Sequence, residues 1–255
     1  MRLTDLHTHT VYCDGKNTPE QMVLKGIERG LKCIGVLAHS YCEFEPDAFL
    51  HPDKIKEFQN TVNELKVKYQ DNIKVLCGVE QDAFSNKAIT TKGFDYVIGS
   101  VHYFNVDGKF YPIDLSEESF VKNVNELFNG DYYSAVENYF STVGQVIELT
   151  GADIIGHFDL IKKFNQNEKY FSTSHDRYVC AYRKAVDKLV AYKKPFEINV
   201  GQMAKGNANE PYPSKKIREY ISSKGGFFVY GSDSHSEQTV GYEIENWTDF
   251  ITENF

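Results

Sequence analysis

What most constrains this chain is an alternation. Seven short apolar runs, at 2–8, 32–38, 73–79, 94–101, 153–156, 196–200 and 227–230, are separated by segments with helical character. Thr18-Pro19-Glu20-Gln21 has the form of a capping box with proline at the first helical position. Within 55–69, Ile55, Phe58, Val62, Leu65 and Tyr69 recur every three or four residues and draw one apolar stripe along a helix. Segments 117–128, 131–150, 175–193 and 214–223 also read as helices. Short strands that alternate with helices bury themselves by running parallel, with the helices packed across the sheet. Seven of them predict an α/β fold closed or nearly closed into a barrel, in one domain over residues 1–255. An open doubly wound sheet is the rival, and no GxGxxG follows the first run to support a dinucleotide site.

The runs share an ending. The first closes on His7 and His9, the second on His39, the third on Glu80, the fourth on His102 and the fifth on His157, while the seventh closes on Asp233 and His235. Six of the eight histidines therefore fall where parallel barrels assemble their active sites, at the C-terminal ends of strands. Imidazoles brought together in this way need either hydrogen-bond partners or a metal. Mixed imidazole and carboxylate donors suit zinc, manganese or iron better than calcium or magnesium. With Asp14 the candidate ligands number nine, too many for one ion, so the pattern predicts a multinuclear centre of two to three divalent ions. His51, before Pro52, and His175, after Ser174, stand at helix starts instead and read as capping or surface residues. Asp5 alternates onto the face of His7 and His9, where it either orients an imidazole or makes a local bond at the strand start.

Bulk composition narrows the partners. A net charge of −8 argues against nucleic acid and against an anionic membrane surface. No stretch approaches the roughly 18 apolar residues of a membrane span, and no apolar run follows Met1 as in a signal peptide. Five cysteines without a CxxC pair fit a reduced, cytoplasmic setting, with Cys33 and Cys77 as buried thiols. Neither Cys13 nor Ser234 stands in a pattern that supports nucleophilic catalysis.

Taken together, DLHTHT (5–10), AHS (38–40), GVE (78–80), GSVH (99–102), GHFDL (156–160) and GSDSH (231–235) resemble the polymerase and histidinol phosphatase (PHP) domain family. The resemblance implies a distorted, TIM-like (β/α)7 barrel with a trinuclear metal centre at the C-terminal strand ends. His7, His9, Glu80 and Asp233 would hold a first ion. Glu80 would bridge to a second completed by His102 and His157, and Asp14, His39 and His235 would hold a third. Asp14 stands where some relatives place a histidine. FEINVGQMAKGNANEPYPS (196–214) and GHFDLIKKF (156–164) resemble the histidinol phosphatases within the family. Lys205 stands where some of these show arginine, a change that keeps the charge and loses the bidentate fork.

The implied activity is hydrolysis of the small-molecule phosphate monoester L-histidinol phosphate, in histidine biosynthesis, by a metal-bridging hydroxide. It fits an acidic protein, because three divalent ions against three carboxylates leave about +3 at the site. Glu80, Asp233 and His235 are then the catalytic candidates. Lys162, Lys163 and Lys205 are the candidates for phosphate, and Asn199 and Tyr103 for substrate. Tyr103 and Phe104, following His102, read either as rings stacked on an imidazole or as core aromatics. Competing readings keep the metals and change the role: a phosphatase for phosphotyrosine protein or nucleotide, a non-catalytic metal-binding module, or an amide hydrolase. A homo-oligomer stays open.

Overall fold

The computed structural model describes residues 3–44 and 49–251. Seven strands form one sheet: β1 (Thr4–His9), β2 (Cys33–Leu37), β3 (Lys74–Asp82), β4 (Tyr96–Ser100), β7 (Ile154–Ile155), β8 (Phe196–Asn199) and β9 (Phe228–Gly231). They are ordered as in the chain, and every adjacent pair is parallel. Thr8 and Ser234 make a parallel bridge across the remaining gap, and His9 N donates to Ser234 O at 2.7 Å. The barrel is thereby nearly closed, with β1 beside the segment that follows β9. Position 2, the first of the expected opening run, lies outside the described residues.

The helices are α1 (Pro19–Glu28), α2 (Ile55–Lys68), α3 (Lys87–Thr90), α4 (Glu117–Phe128), α5 (Tyr132–Val143), α6 (Val146–Thr150), α7 (Asp176–Leu189), α8 (Gly201–Ala204) and α9 (Lys215–Ser223). The capping box before α1 forms in both directions: Gln21 N donates to Thr18 Oγ1 at 3.3 Å, and Thr18 N donates to Gln21 Oε1 at 2.9 Å. His51 and His175 are N-caps whose Nδ1 atoms accept from Asp53 N and Arg177 N. None of the described helices is long and apolar enough to cross a membrane.

Two expectations need correction. The stretch 131–150 is not one helix: α5 ends at Gly144, and a separate turn, α6, follows. A Cβ on Gly144 would lie 3.3 Å from Ala185 Cα, so the glycine lets α5 press against α7, and a glycine-containing junction is a poor place to continue a helix. The sequence reading also missed a hairpin, β5 (Tyr103–Val106) and β6 (Lys109–Pro112), inserted after β4. Its turn is Asp107-Gly108, both with positive φ (52° and 75°), the handedness that matches the twist of two paired strands.

Two clusters make up most of the core. Leu6, Cys33, Leu37, Tyr96, Ile98, Ile154 and Val229, all from strands, form a small apolar cluster that fills the barrel. The larger core, including Met22, Val23, Phe58, Val62, Phe140, Tyr178 and Val186, packs helices against the strands and one another. Burying single Phe or Val side chains is worth about 1.5–3 kcal/mol each, so this layer carries most of the stability and leaves the strand ends free to hold polar groups.

Candidate metal centre

β1 delivers the first two imidazoles, but not by simple alternation. Its register with β2 shifts between Asp5 and Thr8. Asp5 consequently turns to the backbone: its carboxylate accepts from the N–H groups of His7, Ser232 and Gly241, and from no imidazole. His7 and His9 are fully buried, with their Nε2 atoms 2.9 Å apart. Glu80 Oε2 lies 3.2 and 3.3 Å from these two nitrogens, and Asp233 Oδ1 lies 3.6 and 3.5 Å from them.

The other oxygen of Glu80 faces a second set. Oε1 lies 2.9 Å from His157 Nε2 and 3.4 Å from His102 Nε2, and the two imidazole nitrogens are 3.1 Å apart. A third group stands toward the rim. Asp14 lies 3.5 Å from His39 Nε2 through one oxygen and 3.1 Å from His235 Nε2 through the other. His39 reaches inward too, with Nδ1 at 2.9 Å from Glu80 Oε2. All nine strand-end and loop candidates are therefore in one constellation, and Glu80 touches most of them.

The donor atoms fit divalent ions. Imidazole nitrogens that approach each other at 2.9 and 3.1 Å, with carboxylate oxygens on the same point, can share one proton at most. A cation at the point of convergence satisfies all of them at once. Three ligand groups compact enough for an ion include His9, Asp14, His39 and His235; His7, His9 and Asp233; and His39, Glu80 and His102. Electrostatics are mixed: burial opposes protonation of His7, His102 and His235, yet the carboxylates around them raise all three. Burial opposes ionisation of Glu80, yet the imidazoles of His39, His7 and His102 hold its carboxyl well below the usual range. Burial and the charges of His39 and His235 push His9 down, which favours the neutral imidazole a metal requires.

Most of the imidazoles are held from behind, two of them by carboxylates the sequence reading did not single out. His7 Nδ1 pairs with Glu197 Oε1 at 2.5 Å, and His102 Nδ1 pairs with Asp82 Oδ2 at 3.1 Å. His235 Nδ1 donates to the carbonyl oxygen of Asp233 at 3.0 Å, and Cys13 Sγ lies 3.5 Å from His9 Nδ1. His157 Nδ1 is buried without a partner among the described residues. Partners of this kind fix the tautomer and aim the other nitrogen. The signal for Glu197 was present, a carboxylate inside the run 196–200, whereas Asp82 lies beyond the run 73–79, on a strand that extends to residue 82. Cys13 itself is protonated, because burial and the neighbouring Asp14 push its thiol up to about 12.

The centre opens into a cavity of about 260 Å³. Lys163, Lys205, Tyr103 and Asp114 line it together with Asp14, His39, Glu80, His102, His157, Asp233 and His235. Lys163 Nζ donates to the carbonyl and the Oδ2 of Asp114 at 2.7 and 3.1 Å. Lys162 faces a neighbouring hollow instead, with Nζ 3.2 Å from Glu210 Oε1 and 3.4 Å from Asp159 Oδ2. Asn199 is buried behind the ligands, donating through Nδ2 to Glu197 Oε2 and Asp233 Oδ2 at 3.1 and 3.3 Å. The Tyr103 ring packs on Phe44, and Phe104 lies in the core against Phe128. A larger groove of about 440 Å³, between α5 and α7, contains none of the strand-end ligands.

The description of the PHP domain matches residues 5–200. A Schizosaccharomyces pombe protein named probable histidinol-phosphatase is 28% identical over 257 residues, covering 92% of this chain and 81% of its own length. A Listeria monocytogenes crystal structure assigned as a histidinol phosphatase superimposes with a TM-score of 0.82 at 25% identity, covering 96% of this chain and 99% of its own. A Lactococcus lactis histidinol phosphate phosphatase, complexed with zinc, L-histidinol and phosphate, gives 0.72 at 20% identity, with 98% and 92% covered.

Proposed function

The chain belongs to the PHP domain family, and from that premise we propose that it is a metal-dependent phosphomonoesterase that releases phosphate from L-histidinol phosphate. The observation that carries the reading is the constellation itself: six imidazoles and three carboxylates gathered together, most of them lining a cavity that two lysines also line. His7, His9, Glu80 and Asp233 would hold one ion, and Glu80, His102 and His157 a second. Asp14, His39 and His235 would hold a third. Asp14 keeps 42% of its side-chain surface exposed, so the third ion would be the most readily exchanged. The donor set suits zinc, manganese or iron. When bound, such ions supply Lewis acidity toward the phosphoryl oxygens and lower the pKa of water.

The chain's own residues do the rest. Lys163 and Lys205 present positive charge to the phosphoryl group as it enters. Glu80 and Asp233 keep their carboxylates ionised in a buried setting, so they hold the ligand cage without taking up protons. Glu197 and Asp82 fix which nitrogen of His7 and His102 faces the centre. A cavity of about 260 Å³ is large enough for a small ester. Five cysteines, all free, support a reducing compartment, the cytoplasm in this reading.

The test is phosphate release by metal-loaded protein from L-histidinol phosphate, a phosphotyrosine peptide and a nucleoside monophosphate. The reading expects L-histidinol phosphate to lead in kcat/KM by about a hundredfold, roughly 2.7 kcal/mol of transition-state discrimination. Comparable values for the three would leave a phosphatase and remove the histidinol assignment.

A further inference from the structure

Metal ions and lysines attract any phosphate monoester, so selection among esters has to come from the alcohol half. The segment that begins with the β5–β6 hairpin contributes Tyr103, Pro112, Asp114 and Leu115 to the cavity wall, although it supplies no barrel strand. Four carboxylates line this cavity. Asp14, Glu80 and Asp233 fall within the compact ligand groups, and Asp114 does not. Its side chain keeps 28% of its surface open while lining the cavity. Oδ2 accepts from Lys163 Nζ, and Oδ1 accepts no hydrogen bond among the described residues. One anionic oxygen, not committed to a metal group, is thus left free beside the reaction centre.

We infer that Asp114 is the receptor for a cationic group on the leaving alcohol, a primary ammonium on the carbon next to the ester-bearing one. This rests on the reading proposed above, in which the substrate is the phosphate of an amino alcohol. The local charge balance fits. Lys163 has three N–H donors, and two already point at Asp114, one to its backbone carbonyl and one to its carboxylate. The pair leaves room for one more cation on the carboxylate side and one phosphoryl oxygen on the lysine side. Tyr103, Pro112 and Leu115 give the same wall an apolar surface, and Leu115 is 66% exposed, available to a heteroaromatic ring. The alternative is that Asp114 acts only through Lys163, as a positioning residue.

Asp114→Asn separates the two, because asparagine keeps an oxygen for Lys163 and removes the charge. The measurement is kcat and KM of the metal-loaded protein, wild type and variant, on L-histidinol phosphate and on its des-amino counterpart, 3-(imidazol-4-yl)propyl phosphate. Wild type is expected to favour the amine-bearing ester by roughly ten- to a hundredfold in kcat/KM, mainly through KM, the range of a hydrogen bond between charged groups. The variant is expected to lose that preference, falling on the amino ester and staying within about threefold of wild type on the other. Equal losses on both esters, or no loss on either, overturn the inference. A wild type that hydrolyses both esters equally also overturns it while leaving the phosphatase reading intact. A wild type that hydrolyses neither defeats the phosphatase reading first. Should the variant not fold, inhibition of wild type by L-histidinol against 3-(imidazol-4-yl)propanol gives the same comparison, and equal inhibition refutes it.

Discussion

Glu197→Gln is the substitution that most directly probes how this centre is built. Glu197 is 1% exposed and lies on β8, 190 residues from its partner His7. Oε1 takes the proton of His7 Nδ1 as a hydrogen bond, and Oε2 accepts from His157 N at 2.9 Å and Asn199 Nδ2 at 3.1 Å. A carboxylate can accept all three bonds. Glutamine has one acceptor oxygen and one NH2, and both of its orientations fail. With its oxygen toward His7, the NH2 faces two donors, and buried groups lose partners at about 1–3 kcal/mol each. With its NH2 toward His7, Nδ1 must become the acceptor, which moves the ring proton onto Nε2, the nitrogen aimed at Glu80 and Asp233.

The expected result depends on which orientation wins, and both are measurable. The first lowers the stability of the metal-free protein by roughly 1–3 kcal/mol, read from urea unfolding. The second leaves stability nearly intact and weakens the tightest metal site by about 10- to 100-fold, or roughly 1.4–2.7 kcal/mol, read by competition with a chelator. A variant with wild-type metal affinity and wild-type unfolding would refute the assignment of Glu197 as the partner that sets the His7 tautomer.

Glu80→Gln should release at least one ion per chain and abolish turnover, since its two oxygens face different ligand sets; normal activity with full metal content would sink the bridging role. Lys205→Ala should raise KM for a phosphomonoester several-fold without lowering the unfolding midpoint, and an unchanged KM removes it from the site. Phe58→Ala, in a fully buried position against Tyr12, should cost about 3–5 kcal/mol in urea unfolding; a loss under 1 kcal/mol contradicts the core described. Thr18→Ala should cost about 1 kcal/mol by opening the capping box, checked by the same unfolding measurement.

Much of the architecture was legible because it depends on local rules. Helix periodicity, strand propensity and capping act over a few residues, so α2, α4 and the seven parallel strands could be read directly. The convergence of the candidate ligands could be read because a barrel places strand ends together by construction. Failures occurred where a rule was present but unread, or where it was not local. Asp107-Gly108 is a strong hairpin signal, and its strands carry the wall that includes Tyr103 and Pro112. Gly144 interrupts 131–150 because of α7, a neighbour forty residues on. Of the two readings open for Asp5, the bond to nearby backbone is the one found, beside a register shift that only the pairing of β1 with β2 reveals.

The partners behind the imidazoles were harder for a deeper reason: they depend on what is missing as well as on what is present. A Cβ on Gly231 would collide with the Glu197 carboxylate and sit 2.9 Å from His7 Cβ. The Glu197–His7 pair therefore exists only because β9 carries no side chain at that point. Likewise a Cβ on Gly201 would sit 2.9 Å from Asp233 Cβ, and Asp233 itself holds φ at 51°, a conformation that costs a non-glycine residue energy. That strain aims its carboxylate at His7 and His9, and the space beside it is bought by glycine. In a sequence, Gly231 looks like a residue between the run 227–230 and the candidate ligand Asp233, and Gly201 like the residue after the run 196–200. Only the closed barrel shows that each is the other half of a ligand, so the least informative residue type in the motifs is among the most constrained in the site.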